Sequence, residues 1–208
     1  MKHPATTWIV AAGWVFLAGC SGAPRSVAPP SYSSAAGAAA ISRYDADGDG
    51  ALSGDELQRA AALRAALAQI DTDGDGRLTA AEINARVQAW RDARVGLMAV
   101  RCAVTLDGAP LVGAQVVLEP EDYLGSDPRP ASGVTGGDGV AALSLAAEHL
   151  ADPRYPGVAC GWYTIRVTSP AQPLPARYHT DSTLGGEVAL DAAWVYDPGQ
   201  LQLELASP

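Results

Sequence analysis

Two textures of apolar and polar positions divide most of the chain. From Ile41 to Val95 the sequence is Ala-rich and charged, and apolar residues return at helical spacing; Ile83, Val87 and Trp90 fall at i, i+4 and i+7 on one face. From Leu97 onward Val, Thr, Gly and Pro increase. Short apolar runs recur over 98–106, 115–118, 140–145, 162–167, 187–190, 194–196 and 200–205. Asp107-Gly108, Asp127-Pro128, Gly136-Gly137-Asp138-Gly139, Pro156-Gly157 and Asp197-Pro198-Gly199 punctuate them as turns. The pattern predicts an α plus β chain of two domains, a small all-α part over 36–95 followed by an antiparallel β-sandwich over 97–208, with the boundary near Gly96. Residues 20–35, mostly Ser, Ala, Gly and Pro, read as a flexible tether.

Ahead of the tether, Lys2 and His3 precede an apolar run from Trp8 to Leu17. Ten residues are too short for a membrane span, which needs about 20, so 1–19 is expected to be an export signal peptide. The run ends in Leu17-Ala18-Gly19-Cys20, which resembles the bacterial lipobox. That resemblance implies cleavage before Cys20 and lipidation of its thiol, and Ser21 in the next position favours the outer membrane where the host has one. The expected location is therefore the bacterial cell envelope, extracytoplasmic and lipid-anchored. Disulfides are permitted there, and the two other cysteines, Cys102 and Cys160, are either a bridge or two buried free thiols; the compartment favours the bridge.

Charge narrows the partners. The 208 residues carry a formal −9, one unit more negative after loss of Lys2 with the signal, which argues against nucleic acid. Much of the acid is concentrated in two stretches, DADGDGALSGDE over 45–56 and DTDGDGRLTAAE over 71–82. Asp45, Asp47, Asp49, Ala51, Ser53 and Glu56 occupy positions 1, 3, 5, 7, 9 and 12 of the first; Asp71, Asp73, Asp75, Arg77, Thr79 and Glu82 occupy them in the second. Both resemble the EF-hand loop position by position. The chemistry of each slot agrees. A hard Ca²⁺ ion takes six to eight oxygens, and three Asp in one tight turn supply several. Gly50 and Gly76 permit the positive φ the turn needs. Position 7 offers its carbonyl, which Ala51 and Arg77 both have. Ser53 and Thr79 suit a water-mediated ninth position, and Glu at 12 reaches back from the next helix. Two Ca²⁺ ions are expected, and the helical part is expected to be loose without them. Only 14 residues, Leu57 to Ile70, separate the loops. At 1.5 Å per residue that is about 21 Å of helix for an exit helix, a turn and an entry helix. So compressed a pair suits a support better than a wide-opening sensor. Dockerins also pair calcium loops, but usually end them in Asp.

The second part has its own resemblance. VTLDGAPLVGAQVVLEP, VTGGDGVAALSL, GWYTIRVTSP, PARYHTDSTLGGEVAL and LQLEL look like the transthyretin-like, carboxypeptidase-regulatory sandwich, a domain that lipoproteins of planctomycete-type bacteria often carry. That domain is accessory in the carboxypeptidases, and fold alone assigns no function. No catalytic residue is expected. His149 and His179 have no His partner at i+3 or i+4, and GxSxG, a P-loop and GxGxxG are absent. The leading expectation is a calcium-binding envelope lipoprotein with a structural or adhesive role, joined to a membrane by lipid and to an unidentified envelope protein or glycan. A calcium-responsive regulator of a membrane complex is the alternative, and an enzyme or a dockerin-like scaffold module follows behind.

Overall fold

The structure, a computed structural model, describes residues 27–196 and 199–207. The proposed signal peptide and Cys20 lie outside the described residues. Helix α1 (Ala36–Tyr44) leads into the first acidic loop, which ends in the two-residue strand β1 (Ala51–Leu52). Three short helices follow, α2 (Gly54–Arg59), α3 (Ala61–Ala65) and α4 (Leu67–Ile70), then the second loop, β2 (Leu78–Thr79) and the long helix α5 (Ala80–Ala93). The compressed link between the loops is thus three helical fragments, broken at Ala60 and Ala66, neither of which holds helical backbone angles. The stripe read from the sequence is the buried one: Ile83, Val87 and Trp90 are in the core. Helix α5 stops at Arg94, a non-glycine residue in the left-handed region (φ 53°), two residues before the expected Gly96.

Eight strands form the second part: β3 (Val100–Leu106), β4 (Ala109–Pro110), β5 (Gln115–Pro120), β6 (Ala131–Val134), β7 (Val140–Leu145), β8 (Gly161–Thr168), β9 (Leu184–Val188) and β10 (Leu201–Leu205). Their order across one curled sheet is β10-β3-β7-β6-β5-β8-β9, with β4 hairpinned onto β3 through Asp107 and Gly108, both at positive φ. Such a two-residue turn with both centres left-handed matches the twist of paired strands. All pairings are antiparallel except β10 with β3, which is parallel. The sheet curls round a core of alternate inward residues, Val100, Cys102 and Val104 among them from one end and Val116, Leu118, Ile165 and Val167 from the other.

Several expectations change. Residues 194–196 were expected to be a strand and lie instead in a short helix, α6 (Ala193–Tyr196), where the Trp194 indole donates to the Glu187 carbonyl at 2.9 Å. The preceding strand runs earlier than expected, over Leu184–Val188. Strand β6, Ala-Ser-Gly-Val, has too little apolar alternation to be read from sequence. The expected Cys102–Cys160 bridge is not formed: both thiols are free and buried. They belong to different cores. Cys102 packs inside the curled sheet, whereas Cys160, just before β8, sits in the core under the helices with its Sγ 3.8 Å from the Met98 sulfur. Burial pushes the Cys102 thiol up to about 12 and that of Cys160 up to about 11, so both stay protonated.

Part of the expected tether is held. Residues 27–35 lie against the body rather than hanging free of it. Tyr32 is buried, its hydroxyl donating to the Cys160 carbonyl at 2.7 Å. The Ser33 N–H donates to the Leu124 carbonyl, and Arg91 donates to the Tyr32 carbonyl.

The helical part rests on the outside of the sheet through one shared core. Tyr32, Leu63, Ile70, Ile83, Val87 and Trp90 pack with Tyr123, Leu124, Trp162 and Ala189. Its centre is a run of rings: Tyr32 to Trp90 at 5.5 Å, Trp90 to Trp162 at 4.4 Å and Trp162 to Tyr123 at 6.2 Å between centroids.

Candidate metal centre

The two acidic loops are built alike, atom for atom in most places. In the first, the Asp45 carboxylate accepts the N–H of Gly48 (2.7 Å) and of Gly50 (3.0 Å), Asp47 that of Asp49, and Asp49 that of Ala51. In the second, Asp71 accepts the N–H of Gly74 (2.7 Å) and Gly76 (2.9 Å), Asp73 that of Asp75, and Asp75 that of Arg77. Gly50 and Gly76 take φ of 84° and 80°, the left-handed geometry for which a side chain would be strained. Each loop therefore turns its own amides toward its own carboxylates and draws them together.

The last ligand positions double as helix caps. Ser53 and Glu56 form a capping box at the start of α2, and Thr79 and Glu82 form one at the start of α5. Glu56 also reaches back to the N–H of Ala46 (2.7 Å), and Glu82 to that of Thr72 (3.0 Å), so each closes its loop from the far side. Hydrogen bonds from the amides of Ala46 and Ser53 hold the Glu56 carboxyl below the usual range, and those from Gly76 and Gly74 do the same for Asp71. These groups stay ionised, as metal ligands must. Across the pair, Leu52 faces Leu78 and Ala51 faces Thr79 in an antiparallel bridge, with both leucines fully buried.

Carboxylate oxygens of Asp45, Asp47 and Asp49 lie within 4.8 Å of one another, as do those of Asp71, Asp73 and Glu82. Oxygens about 2.4 Å from one Ca²⁺ ion lie at most about twice that apart, so each trio fits a single coordination sphere. The trios differ: Glu56 stands outside the first and Asp75 outside the second. The position-7 side chain of the second loop is a feature the sequence reading missed. Arg77 crosses the bridge to pair with Asp49 of the first loop.

Also missed were the fastenings behind the loops. Arg86, four residues after Glu82, is 7% exposed and donates Nε to Glu187 at 2.6 Å, where Glu187 is 4% exposed. Its other two nitrogens take both oxygens of Asp191, at 2.7 and 2.8 Å. The Trp90 indole adds a bond to Glu187 at 3.2 Å. A signal existed: Arg86 lies at i+3 from Ile83 and i−4 from Trp90, a cation on the apolar stripe. At the first loop, Tyr44 immediately precedes Asp45, and its hydroxyl donates to the buried Glu121, which Thr164 also binds at 2.8 Å. Neighbouring Arg43 pairs with Asp122.

Fold and site together define a paired calcium-loop domain seated on a mostly antiparallel β-sheet domain. The family model described as EF hand matches residues 38–61 and again 63–87, once for each loop with its flanking helices. No curated protein matches the chain.

Proposed function

We propose that this protein is a non-enzymatic envelope lipoprotein in which two Ca²⁺ ions, one per loop, lock the helical pair onto the sheet domain, which serves a structural or adhesive role toward an envelope protein or glycan. The observation that carries this reading is the placement of polar fastenings at both outer ends of the calcium pair. Tyr44 enters the first loop and binds Glu121 of the sheet, and Arg86 leaves the second and binds Glu187 and Asp191. Asp45, Asp47, Asp49, Ser53, Glu56 and the Ala51 carbonyl would hold one ion; Asp71, Asp73, Asp75, Thr79, Glu82 and the Arg77 carbonyl would hold the other. Bound calcium supplies charge neutralisation within each acidic turn. The residues of the chain do the rest, fixing where the exit helices start and how α5 lies on the sheet. Anchorage through Cys20 belongs to the same proposal. Among the described residues no helix is long and apolar enough to cross a membrane.

Calcium calorimetry paired with thermal melting tests the reading. Two ions per chain are expected, with a melting temperature that falls in EDTA and recovers with Ca²⁺ but not with Mg²⁺ at equal concentration. A melt indifferent to EDTA sinks it. The regulator reading requires an apolar face that opens with calcium, and the link between the loops is packed against the sheet instead: a Cβ on Gly185 of β9 would fall 2.3 Å from the backbone of Ala61 in α3.

A further inference from the structure

Residues 27–35 change the meaning of the proposed anchor. The Val27 carbonyl occupies the space a Cβ on Gly96 would fill, 2.0 Å from it, so no side chain fits there and the segment lies directly on the chain that leaves α5. Ser31, Tyr32 and Ser33 each add a hydrogen bond to the body, the first by donating its N–H to Asp127 at 2.6 Å. Only seven residue steps separate Cys20 from Val27. Fully extended, they span about 25 Å.

The attachment point lies at one end of the molecule and the calcium loops at the other. Helix α5 has 14 residues, a length of about 21 Å. Glu82, the last ligand of the second loop, is in its first turn. The bridge between Leu52 and Leu78 keeps the first loop alongside. Val27 and Gly96 lie past its last turn. The calcium loops thus stand about as far from the attachment point as the whole leash is long, so an orientation with the loops nearest the bilayer needs nearly all of it drawn out straight.

We infer that the surface around Val27, Leu97, Arg154, Tyr155 and Pro156, which line one shallow cleft, faces the lipid surface, and that the calcium loops point away from it; the inference rests on the lipid anchor at Cys20. The chemistry of that end agrees. Tyr155 is 66% exposed beneath the Arg154 guanidinium, and a tyrosine with one apolar face and one polar tip suits the headgroup region of a bilayer. Arg94 and Arg129 are exposed at the same end, whereas the acids of the two loops would be repelled by anionic lipid. Asp92, Asp127, Glu148 and Asp152 also lie there, Asp127 accepting the Ser31 N–H and Asp152 pairing with Arg154, so Tyr155 and the reach of the leash, not net charge, carry the orientation.

The full chain, purified from membranes and reconstituted in phosphatidylcholine–phosphatidylglycerol vesicles with a headgroup spin-labelled lipid, tests this. A fluorophore is placed on Ala99→Cys, exposed at the Val27 end, or on Ala81→Cys, exposed in the first turn of α5. The buried Cys102 and Cys160 do not compete for the dye. With about 21 Å of helix between the ends, quenching at Ala99 is expected to exceed that at Ala81 by about twofold or more. Equal quenching, or stronger quenching at Ala81, overturns the orientation. Mass spectrometry of the Cys20 peptide separates the two failures: a lipidated peptide with equal quenching overturns the orientation alone, and an unmodified Cys20 overturns the anchor and the orientation with it.

Discussion

Replacing Arg86 with Met is the most direct test of how the calcium pair is joined to the sheet. Wild-type Arg86 and Glu187 are both nearly buried, at 7% and 4% exposure, and meet at 2.6 Å. Without the guanidinium, Glu187 keeps only the Trp90 indole, and one of its oxygens, Oε2, already has no partner. A buried charge stripped of its counterion costs about 3–5 kcal/mol. The Asp191 bonds add little to this, because that carboxylate is 60% exposed. In a chain of this size about 1 kcal/mol moves the melting temperature by roughly 2–4 °C, so Arg86→Met is expected to melt about 10 °C lower, with tryptophan fluorescence and far-UV circular dichroism falling together. The double variant Arg86→Met/Glu187→Leu removes the stranded charge as well and is expected to recover most of the loss. A loss under about 1 kcal/mol in the single variant, or a double variant no more stable than the single, refutes the reasoning.

The same pair has a pH signature. Burial raises the Glu187 pKa and the Arg86 bonds work against the rise. A carboxyl whose folded pKa is raised contributes stability that is fully present below its unfolded value, about 4.3, and is lost as pH climbs through the folded value. Removing Arg86 lifts the folded value further and carries that window upward. The stability gap between wild type and Arg86→Met therefore narrows as pH falls from neutrality towards about 5. Asp49, Glu56, Asp71 and Glu82 of the calcium loops shift the opposite way but in both proteins alike, so they drop out of the difference.

Other substitutions probe other links. Gly185→Ala drives a methyl into the backbone of Ala61 and Ala62, 2.3 Å away, and is expected to cost about 1–3 kcal/mol in chemical denaturation; a neutral result would mean that α3 does not sit on β9. Glu56→Gln and Glu82→Gln should each weaken one calorimetric site by at least about tenfold and spare the other, whereas equal effects on both sites would show that the loops do not bind separately. Non-reduced protein unfolded in denaturant should take up alkylating reagent at both Cys102 and Cys160, and resistance of both would mean that they bridge after all.

Local signals in this chain were strong where chemistry needs a fixed local spacing. Both loops, their glycine turns, their capping glutamates and the α5 stripe depend on contacts within a dozen residues, and all were legible. So were most of the strands, whose alternation follows from one wet and one dry face. The unread features depend on distant partners. Residues 194–196 have strand-forming side chains, yet the Trp194 indole finds the Glu187 carbonyl from a helical turn. Residues 27–35 have a tether's composition, yet Tyr32 fits between Trp90 and the Cys160 carbonyl. Compartment suggested a disulfide, but pairing two cysteines requires them in one core, and the curled sheet puts a wall between Cys102 and Cys160. Arg86 was visible as an oddity on an apolar stripe; what it was for depended on Glu187, a hundred residues away.

Those long-range contacts also bear on whether calcium could open the pair. An opening hand swings its helices apart to expose a groove, and a helix free to swing must have a surface that can leave its neighbours. Here α1 carries Gly37 against the Ala80 carbonyl of α5, where a Cβ would fall 2.2 Å away, and Tyr44 against Glu121. The link helix α3 touches β9 backbone to backbone, and α5 is fastened by Arg86 and by the edge-on contact of the Trp90 and Trp162 rings. Swinging any of the three would break a close contact or strand a buried polar group, at a cost of several kcal/mol for the charged pair alone. A ligand shifts an equilibrium only by its preference for one state over the other, so calcium would populate an open state only if its preference for that state exceeded those losses. The geometry therefore favours ions that hold the existing arrangement over ions that change it.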